Sequence, residues 1–173
     1  MVELLDGTIE CQSEQGKGTT FTVVLDIPEA DRQREDMRLE SVDVLIVDDD
    51  EYMLQTTVDI LESLGASAEQ AQNGLEALGM IDHRHLSGRD YDAVIIDWKM
   101  PEIDGLETIR RIRAEIDANI PILLISAYDW SDIEDKAKEA GANAFVSKPL
   151  FRSTLYDKIN DLIGSETRSC RRK

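Results

Sequence analysis

The sequence predicts an α/β protein built on a doubly wound, five-stranded parallel sheet. Two observations predict this fold: four short apolar runs each lead into a polar residue, and helix-like segments lie between them. Continuous β-branched runs are typical of strands buried on both faces of a parallel sheet. Alternation of strands and helices is typical of doubly wound folds. The four runs are Val44–Val47, Ala93–Ile96, Ile122–Ile125 and Ala144–Ser147.

Helices and a fifth strand are predicted between and after these runs. A helix is expected from Glu51 to about Leu64 and a weak strand over Ser67–Ala71, with Gly65 ending the helix. A second helix starts by Gly74, and the polar segment His83–Asp90 is expected to be a loop. Helical spacing of apolar residues supports each helix. The predicted inward residues are Leu54, Val58, Leu61; Leu75, Leu78, Ile81; Leu106, Ile109, Ile112; Ile133, Ala137, Ala140; and Leu155, Ile159, Leu162. The fourth helix is expected over about Asp132–Ala140.

Residues 1–28 do not continue this pattern. Thr8–Cys11 and Thr20–Leu25 are predicted to form a hairpin that turns at Gly16–Gly18. An isolated hairpin is marginal in water, so these strands would normally need a sheet that this chain does not contain. Residues 29–41 are predicted to be a charged linker, residues 42–166 the α/β domain, and residues 167–173 a disordered tail.

The composition limits the partners of the chain. Of its 173 residues, 42% are hydrophobic, which is enough for a packed core, and the net charge is −17. This charge argues against direct binding to nucleic acid or an anionic membrane. No apolar run approaches the roughly 18 residues that a membrane span needs. The two cysteines lie far apart, which favours a reducing cytoplasm over a disulfide framework.

Polar residues at the strand ends predict a phosphoryl-transfer site. The carboxyl ends of parallel strands share one edge, so Asp48, Asp49, Asp97, Ser126 and Lys148 are expected to lie together there. Three neighbouring carboxylates repel one another unless a cation neutralises them. Mg²⁺ prefers oxygen ligands and often completes its shell with phosphate oxygens. We therefore predict Mg²⁺-assisted transfer of a phosphoryl group onto an aspartate.

Residues 41–165 resemble a response-regulator receiver domain of two-component signalling, which has a flavodoxin-like fold. The matching segments are Val44–Asp50, Asp97–Gly105, Ile125–Ala127 and Lys148–Pro149. The resemblance implies that the chain takes a phosphoryl group from the phosphohistidine of a histidine kinase or a histidine-phosphotransfer protein. It also implies exchange with such partners in a relay and a switch in partner binding, and it leaves a homodimer open.

The resemblance also implies a role for each site residue. Asp97 would be the phosphoacceptor, and Ser126 and Lys148 would contact the phosphoryl group. Asp49 would bind Mg²⁺ directly and Asp48 mainly through water. The remaining implied features are a metal-binding backbone carbonyl at Lys99, a cis bond at Lys148–Pro149 and an aromatic switch residue at Phe145. For Phe145, plain core packing stays open as an alternative.

Two residues are predicted to lengthen the life of the aspartyl phosphate. Lys99 and Tyr128 each lie two positions beyond a site residue, Asp97 and Ser126 respectively. Both side chains are long enough to lean across the acyl phosphate and hinder an attacking water. We therefore expect slow self-dephosphorylation. That both are merely exposed polar residues is the alternative, and it remains open.

The amino-terminal residues carry a second resemblance. Leu4–Ile9 and Gly16–Phe21 are similar to the closing end of a histidine-kinase ATP-binding domain. The asparagine-bearing helix, the Asp-x-Gly-x-Gly loop and the phosphorylatable histidine of that family are absent from this chain. We expect no ATP binding and no kinase activity from it. A kinase-like end followed by a receiver-like domain resembles part of a hybrid sensor kinase. We expect this part to be cytoplasmic, and a membrane anchor elsewhere in the full-length kinase stays open.

Two other functions remain open at this point. One is a receiver-fold interaction module that is never phosphorylated, which failure to bind Mg²⁺ would support. The other is a dehalogenase-type phosphatase, which also uses an aspartyl phosphate but places its nucleophile on the first strand. The segment Asp48–Tyr52 matches that arrangement poorly. His83 and His85 are expected to be surface histidines, because too few metal-binding partners lie near them in sequence.

Overall fold

The computed structural model describes residues 7–25, 37–39, 41–116, 119–127 and 134–170, with the last six of these as backbone only. The chain divides into two compact units, residues 1–35 and residues 36–173. None of the described helices is both long enough and apolar enough to cross a membrane.

The first unit contains the predicted hairpin. Strand β1 (Thr8–Glu14) pairs antiparallel with β2 (Gly18–Val24), so each strand is longer than or shifted from its predicted range. Gly16 and Gly18 have φ values of +83° and +111°, which only glycine adopts readily, and they allow the tight turn. Ile9, Phe21 and Val23 are largely exposed. Ile9 pairs directly with Val23, so the hairpin presents apolar side chains that the described residues leave uncovered.

The second unit has the predicted doubly wound sheet. Its strand order is β4-β3-β5-β6-β7, and every neighbouring pair is parallel. The fold class and the presence of five strands are therefore confirmed. In chain order the elements are β3 (Asp43–Val47), α1 (Glu51–Ser63), β4 (Ser67–Ala71), α2 (Gly74–Leu86), β5 (Ala93–Asp97), α3 (Gly105–Arg111), a π-helix (Ile112–Ile116), β6 (Ile122–Ser126), α4 (Glu134–Ala140), β7 (Ala144–Ser147) and α5 (Arg152–Cys170).

Helices cover both faces of this sheet. Leu45 and Val47 pack with α2, α3 and α4 on one face, whereas Val44 and Ile46 pack with α1 and α5 on the other. This alternation follows from the two-residue period of a strand. Strands β3, β5 and β6 are almost wholly buried, as their apolar runs predict. The sheet is consequently held between two cores, and its carboxyl edge has a fixed geometry.

Helix α2 differs from the prediction in length and in its buried face. It continues to Leu86, so His83–Leu86 are helical and the predicted loop begins only at Ser87. Leu75 is 49% exposed, and Ala77 is buried in its place. Basic residues in the last turn suit the negative end of the helix dipole. Arg84 also pairs with Asp43 at 2.8 Å, which holds this turn against the sheet.

The second unit begins at residue 36, ahead of residue 42, where the α/β domain is predicted to start. Leu39 lies in the predicted charged linker, yet it is only 2% exposed, and its N–H donates to Leu64 O at 2.6 Å. A single apolar residue in a charged segment thus anchors the chain ahead of β3. Helix α5 runs four residues into the segment 167–173, whose disorder stays a prediction. The predicted start of α4, including Ile133, lies outside the described residues.

Candidate functional site

The carboxyl edge of the sheet brings the predicted site residues together. Asp97 and Ser126 are the last residues of β5 and β6, and Asp48 directly follows β3. Oxygen atoms of Asp48, Asp49 and Asp97 all lie within 4.8 Å of one another. Lys148 follows β7, and its N–H donates to Ser126 O at 2.8 Å. Parallel pairing places these residues on one edge because every strand ends there.

Lys148 bridges two of the three carboxylates. Its Nζ lies 2.8 Å from Asp48 Oδ2 and 2.7 Å from Asp97 Oδ1. Burial lowers the pKa of the ammonium, but its bonds to Asp48 and Asp97 outweigh this effect and raise the pKa. Lys148 therefore stays protonated and offsets part of the negative charge of the cluster. The Lys148–Pro149 peptide bond is cis, as the resemblance implies.

Asp48 and Asp49 occupy different environments despite being adjacent. Asp48 is 2% exposed, and its Oδ1 accepts the Asp50 N–H at 3.0 Å while its Oδ2 accepts from Lys148. Asp49 is exposed and therefore faces water directly. Asp50 turns away to cap α1, accepting the N–H groups of Tyr52 and Met53. Asp49 is thus the carboxylate best placed to receive an ion from solvent.

Asp97 is buried and engaged through both of its oxygens. Its Oδ1 pairs with Lys148, and its Oδ2 accepts the Lys99 N–H at 2.9 Å. Burial raises the pKa of the Asp97 carboxyl by more than the bond to Lys148 lowers it, and the neighbouring Asp48 raises it further. The charged form of Asp97 is consequently less favourable in free energy than that of a carboxylate in water, and a further cation nearby would stabilise it.

The loop after β5 lies tightly against Asp97. The Gly105 N–H donates to Trp98 O at 2.8 Å, and the Trp98 N–H donates to Ile125 O at 2.9 Å. A Cβ on Gly105 would lie 2.3 Å from the backbone O of Asp97, so only glycine fits without movement. Asp104 then caps α3 by accepting the Glu107 N–H at 2.8 Å. This packing fixes the backbone of Lys99 beside the carboxylate cluster.

A cleft of about 80 Å³ opens at this edge of the sheet. Within it, the ammonium of Lys99 lies 4.1 Å from the centroid of the Trp98 ring, a cation–π contact. Trp98 was not predicted as a site residue, although a tryptophan directly after the strand that ends in Asp97 was an available signal. The cleft is lined by Asp97, Trp98, Lys99, Ser126, Ala127 and Lys148.

Of the two remaining predicted site residues, Phe145 is described in the structure and Tyr128 is not. Phe145 on β7 is partly buried and packs against the core on the α2, α3 and α4 face of the sheet. This contact agrees with core packing and does not test a switching role. Tyr128 lies outside the described residues, so its proximity to the cleft stays a prediction.

The described geometry combines three carboxylates, two ammonium groups and a buried hydroxyl. Carboxylates at this separation repel unless positive charge lies between them, and one lysine offsets only part of that charge. Three carboxylates with one bridging ammonium leave a net negative charge, which a divalent cation would neutralise. The arrangement is suited to binding a phosphoryl group beside a nucleophilic carboxylate.

The chain belongs to the response regulator receiver domain family, whose model matches residues 44–160. It is therefore a receiver domain of two-component signalling, and the first resemblance drawn from the sequence is confirmed.

Individual relatives come from two kinds of protein. The chain is 33% identical over 121 residues to the chemotaxis protein CheY-3 of Vibrio cholerae, covering 69% of this chain and 89% of that protein. It is 28% identical over 172 residues to the autoinducer 2 sensor kinase/phosphatase LuxQ of Vibrio parahaemolyticus, covering 93% of this chain. The chain spans only about a fifth of the length of that relative, 20%.

A solved structure also resembles this chain closely in fold. It is the receiver domain of a sensor histidine kinase from Pseudomonas aeruginosa, with a magnesium ion coordinated in its active-site cleft. The two share 27% sequence identity with a TM-score of 0.63, covering 72% of this chain and 98% of the other.

Proposed function

We propose that this receiver domain accepts a phosphoryl group from phosphohistidine onto Asp97 with Mg²⁺ and changes its partner binding as a result. The observation that carries the proposal is the position of Lys148, which joins Asp48 and Asp97 within the acidic cluster. A structural ion pair needs one acid for one base, whereas here Lys148 contacts two acids and a third, Asp49, lies within 4.8 Å of them. Such an excess of carboxylates is expected where a metal and a phosphoryl group bind together.

We assign the metal site to the same cluster. Asp49 would bind Mg²⁺ directly, Asp97 would supply a second oxygen and the Lys99 carbonyl a third, with Asp48 contributing through water. The exposure of Asp49 and the existing hydrogen bonds of Asp48 support this division. A bound Mg²⁺ would supply positive charge to the phosphoryl oxygens.

The transfer is a displacement at phosphorus. An Asp97 oxygen forms a bond to phosphorus as the bond from phosphorus to the donor nitrogen breaks, and the donor imidazole takes up a proton. Lys148 already contacts Asp97 Oδ1, so its ammonium would lie beside the incoming phosphoryl oxygens and neutralise part of their charge. Ser126 would donate its hydroxyl to another oxygen. Its burial at 1% exposure keeps that hydroxyl out of competition with bulk water.

Chemical phosphorylation tests the proposal. The chain is incubated with Mg²⁺ and either acetyl phosphate or phosphoramidate, whose P–N bond resembles that of phosphohistidine, and its intact mass is measured. One phosphoryl adduct is expected on the wild type and on Asp82→Asn, a control at an exposed aspartate of α2. None is expected on Asp97→Asn, and little in EDTA. An adduct that persists in Asp97→Asn refutes the assignment.

We infer that the aspartyl phosphate is long-lived, with Lys99 and Tyr128 hindering the attacking water. The position of Lys99 in the wall of the cleft supports its part in this proposal. The rate of phosphate loss from the loaded wild type is compared with that of Lys99→Asn combined with Tyr128→Glu. Faster loss in the double variant is expected, and equal rates contradict the proposal.

We also propose that Ser126 and Phe145 convert phosphorylation into a change of surface. Ser126 would move toward the phosphoryl group, and Phe145 would change its packing on the neighbouring strand. The register Ser126–Ser147 places the two strand ends side by side, which supports the coupling. Amide chemical shifts of Phe145 and its neighbours should change on loading in the wild type and change less in Ser126→Ala.

The hairpin is proposed to be the end of a histidine-kinase ATP-binding domain in a longer hybrid kinase. The LuxQ match supports this, because 93% coverage leaves only about 12 residues of this chain outside it, so β2 lies within the match. The exposed apolar residues of the hairpin would then pack on upstream strands. This chain alone should not bind ATP, and saturable binding of a fluorescent ATP analogue would contradict that expectation.

A further inference from the structure

We propose that Trp98 is a positioning residue that holds the Lys99 ammonium at the mouth of the phosphoryl site. The inference rests on the proposed function and adds to it the means by which Lys99 controls the attacking water. Its basis is the cation–π contact of 4.1 Å between Lys99 Nζ and the ring of Trp98, in a cleft that both share with Asp97.

The tryptophan is anchored, whereas the lysine is exposed. The Trp98 N–H donates to Ile125 O at 2.9 Å, its carbonyl accepts the Gly105 N–H at 2.8 Å, and its ring packs partly buried against the core. Lys99 is exposed apart from its ring contact, and a lysine side chain alone samples many rotamers. The Trp98 ring therefore confines the Lys99 ammonium, which would otherwise sample many positions in solvent.

The two lysines of the cleft are held in different ways. Lys148 contacts two carboxylates, but Lys99 makes no ion pair among the described residues and lies on an aromatic face instead. A second ammonium drawn onto Asp97, beside that of Lys148, would occupy the space that the phosphoryl group needs. Trp98 keeps Lys99 beside that space, where it can stand in the path of water once Asp97 is phosphorylated.

The reaction under control is hydrolysis of the acyl phosphate. A water oxygen bonds to phosphorus, the bond from phosphorus to the Asp97 oxygen breaks with its electron pair returning to the carboxylate, and a water proton passes to solvent. An ammonium fixed at the mouth restricts the line of approach of that water. A lysine released from the ring would restrict it for a smaller fraction of the time.

A double-mutant cycle on the loaded protein tests the positioning role. Wild type, Trp98→Leu, Lys99→Met and the double variant are phosphorylated with acetyl phosphate and Mg²⁺, freed of donor, and followed by intact mass. Trp98→Leu should lose phosphate about two to five times faster, matching the strength of an exposed cation–π contact. The double variant should lose it no faster than Lys99→Met alone, and Trp98→Phe, which keeps a ring, should fall between wild type and Trp98→Leu.

Two outcomes of the double-mutant cycle overturn the inference. One is decay of Trp98→Leu at the wild-type rate, and the other is an equal acceleration by Trp98→Leu in the Lys99→Met background. Failure of the wild type to load would instead contradict the proposed function. A separate readout needs no phosphorylation: the Hε protons of Lys99 should show an upfield ring-current shift in NMR spectra of the unloaded wild type, lost in Trp98→Leu. Absence of that shift from the wild type refutes the positioning contact.

Discussion

Replacing Lys148 by methionine isolates the electrostatic role of the bridging ammonium. Lys148 Nζ lies 2.8 Å from Asp48 and 2.7 Å from Asp97, and both carboxylates are buried, at 2% and 6% exposure. Methionine keeps an unbranched chain and removes the charge. The variant leaves two buried carboxylates, with Asp49 beside them, and no cation among the described residues in direct contact with either.

The expected loss of stability follows from the separation of the charges. Two carboxylates at the 4.8 Å limit of the cluster repel by about 3.5 kcal/mol at an effective dielectric constant of about 20. The fold can escape this repulsion by protonating one carboxyl, which costs about 4 kcal/mol at neutral pH from the ordinary pKa. Both routes are similar in cost and agree with the usual effect of breaking a buried ion pair. We expect Lys148→Met to lower the free energy of unfolding by about 3 kcal/mol.

The sign of the pH dependence is also fixed. Burial already raises the pKa of Asp97, and removal of Lys148 takes away the largest of the interactions that lower it. A carboxyl whose folded-state pKa is raised stabilises the fold fully below its unfolded pKa, and this stability is lost as pH rises through the folded pKa. The deficit of Lys148→Met should therefore be largest at neutral pH and shrink as the pH approaches about 4.

Urea denaturation measures both effects. Wild type and Lys148→Met are compared in EDTA at about pH 5 and about pH 7.5, with Lys136→Met as a control at an exposed lysine of α4. Mg²⁺ should restore more stability to Lys148→Met than it adds to wild type, because it replaces the missing cation. A variant as stable as wild type in EDTA at neutral pH, or equally deficient at both pH values, would refute the reasoning.

Two further predictions concern packing near Asp97 and a second charged cluster. Gly105→Ala places a Cβ 2.3 Å from the Asp97 carbonyl, so urea denaturation should show a loss of about 2 kcal/mol. Gly79→Ala, whose Cβ meets nothing within 4 Å, should gain up to about 1 kcal/mol; equal stability of the two variants contradicts this. Burial and the bond to Glu69 raise the pKa of Tyr91 to about 12. Glu69→Gln should move the Tyr91 pKa toward 10 in an ultraviolet absorbance titration, and an unchanged titration argues against that bond. The stability that the raised pKa contributes is present below pH 10 and is lost as the pH rises through 12.

Helix α2 shows where local pattern was insufficient. The polarity of His83–Leu86 suggested a loop, but the pairing of Arg84 with Asp43, 41 residues away in sequence, holds this turn against the sheet. Leu39 shows the same limit within a charged segment, since it is buried in a core cluster with residues of α1 and α5 that are distant in sequence. Contacts between distant residues leave no periodic signal in either segment.

The sequence alone determined that the chain forms a parallel sheet, the succession of strands and helices along the chain, and the predicted set of site residues at the carboxyl edge of the sheet. A buried strand must be apolar along its whole length, and the first polar residue after it therefore marks the edge. The tertiary structure decided how those residues divide their roles. Only the packed chain places one ammonium between Asp48 and Asp97, leaves Asp49 open to water and sets Lys99 on Trp98, because these choices depend on distances across neighbouring strands.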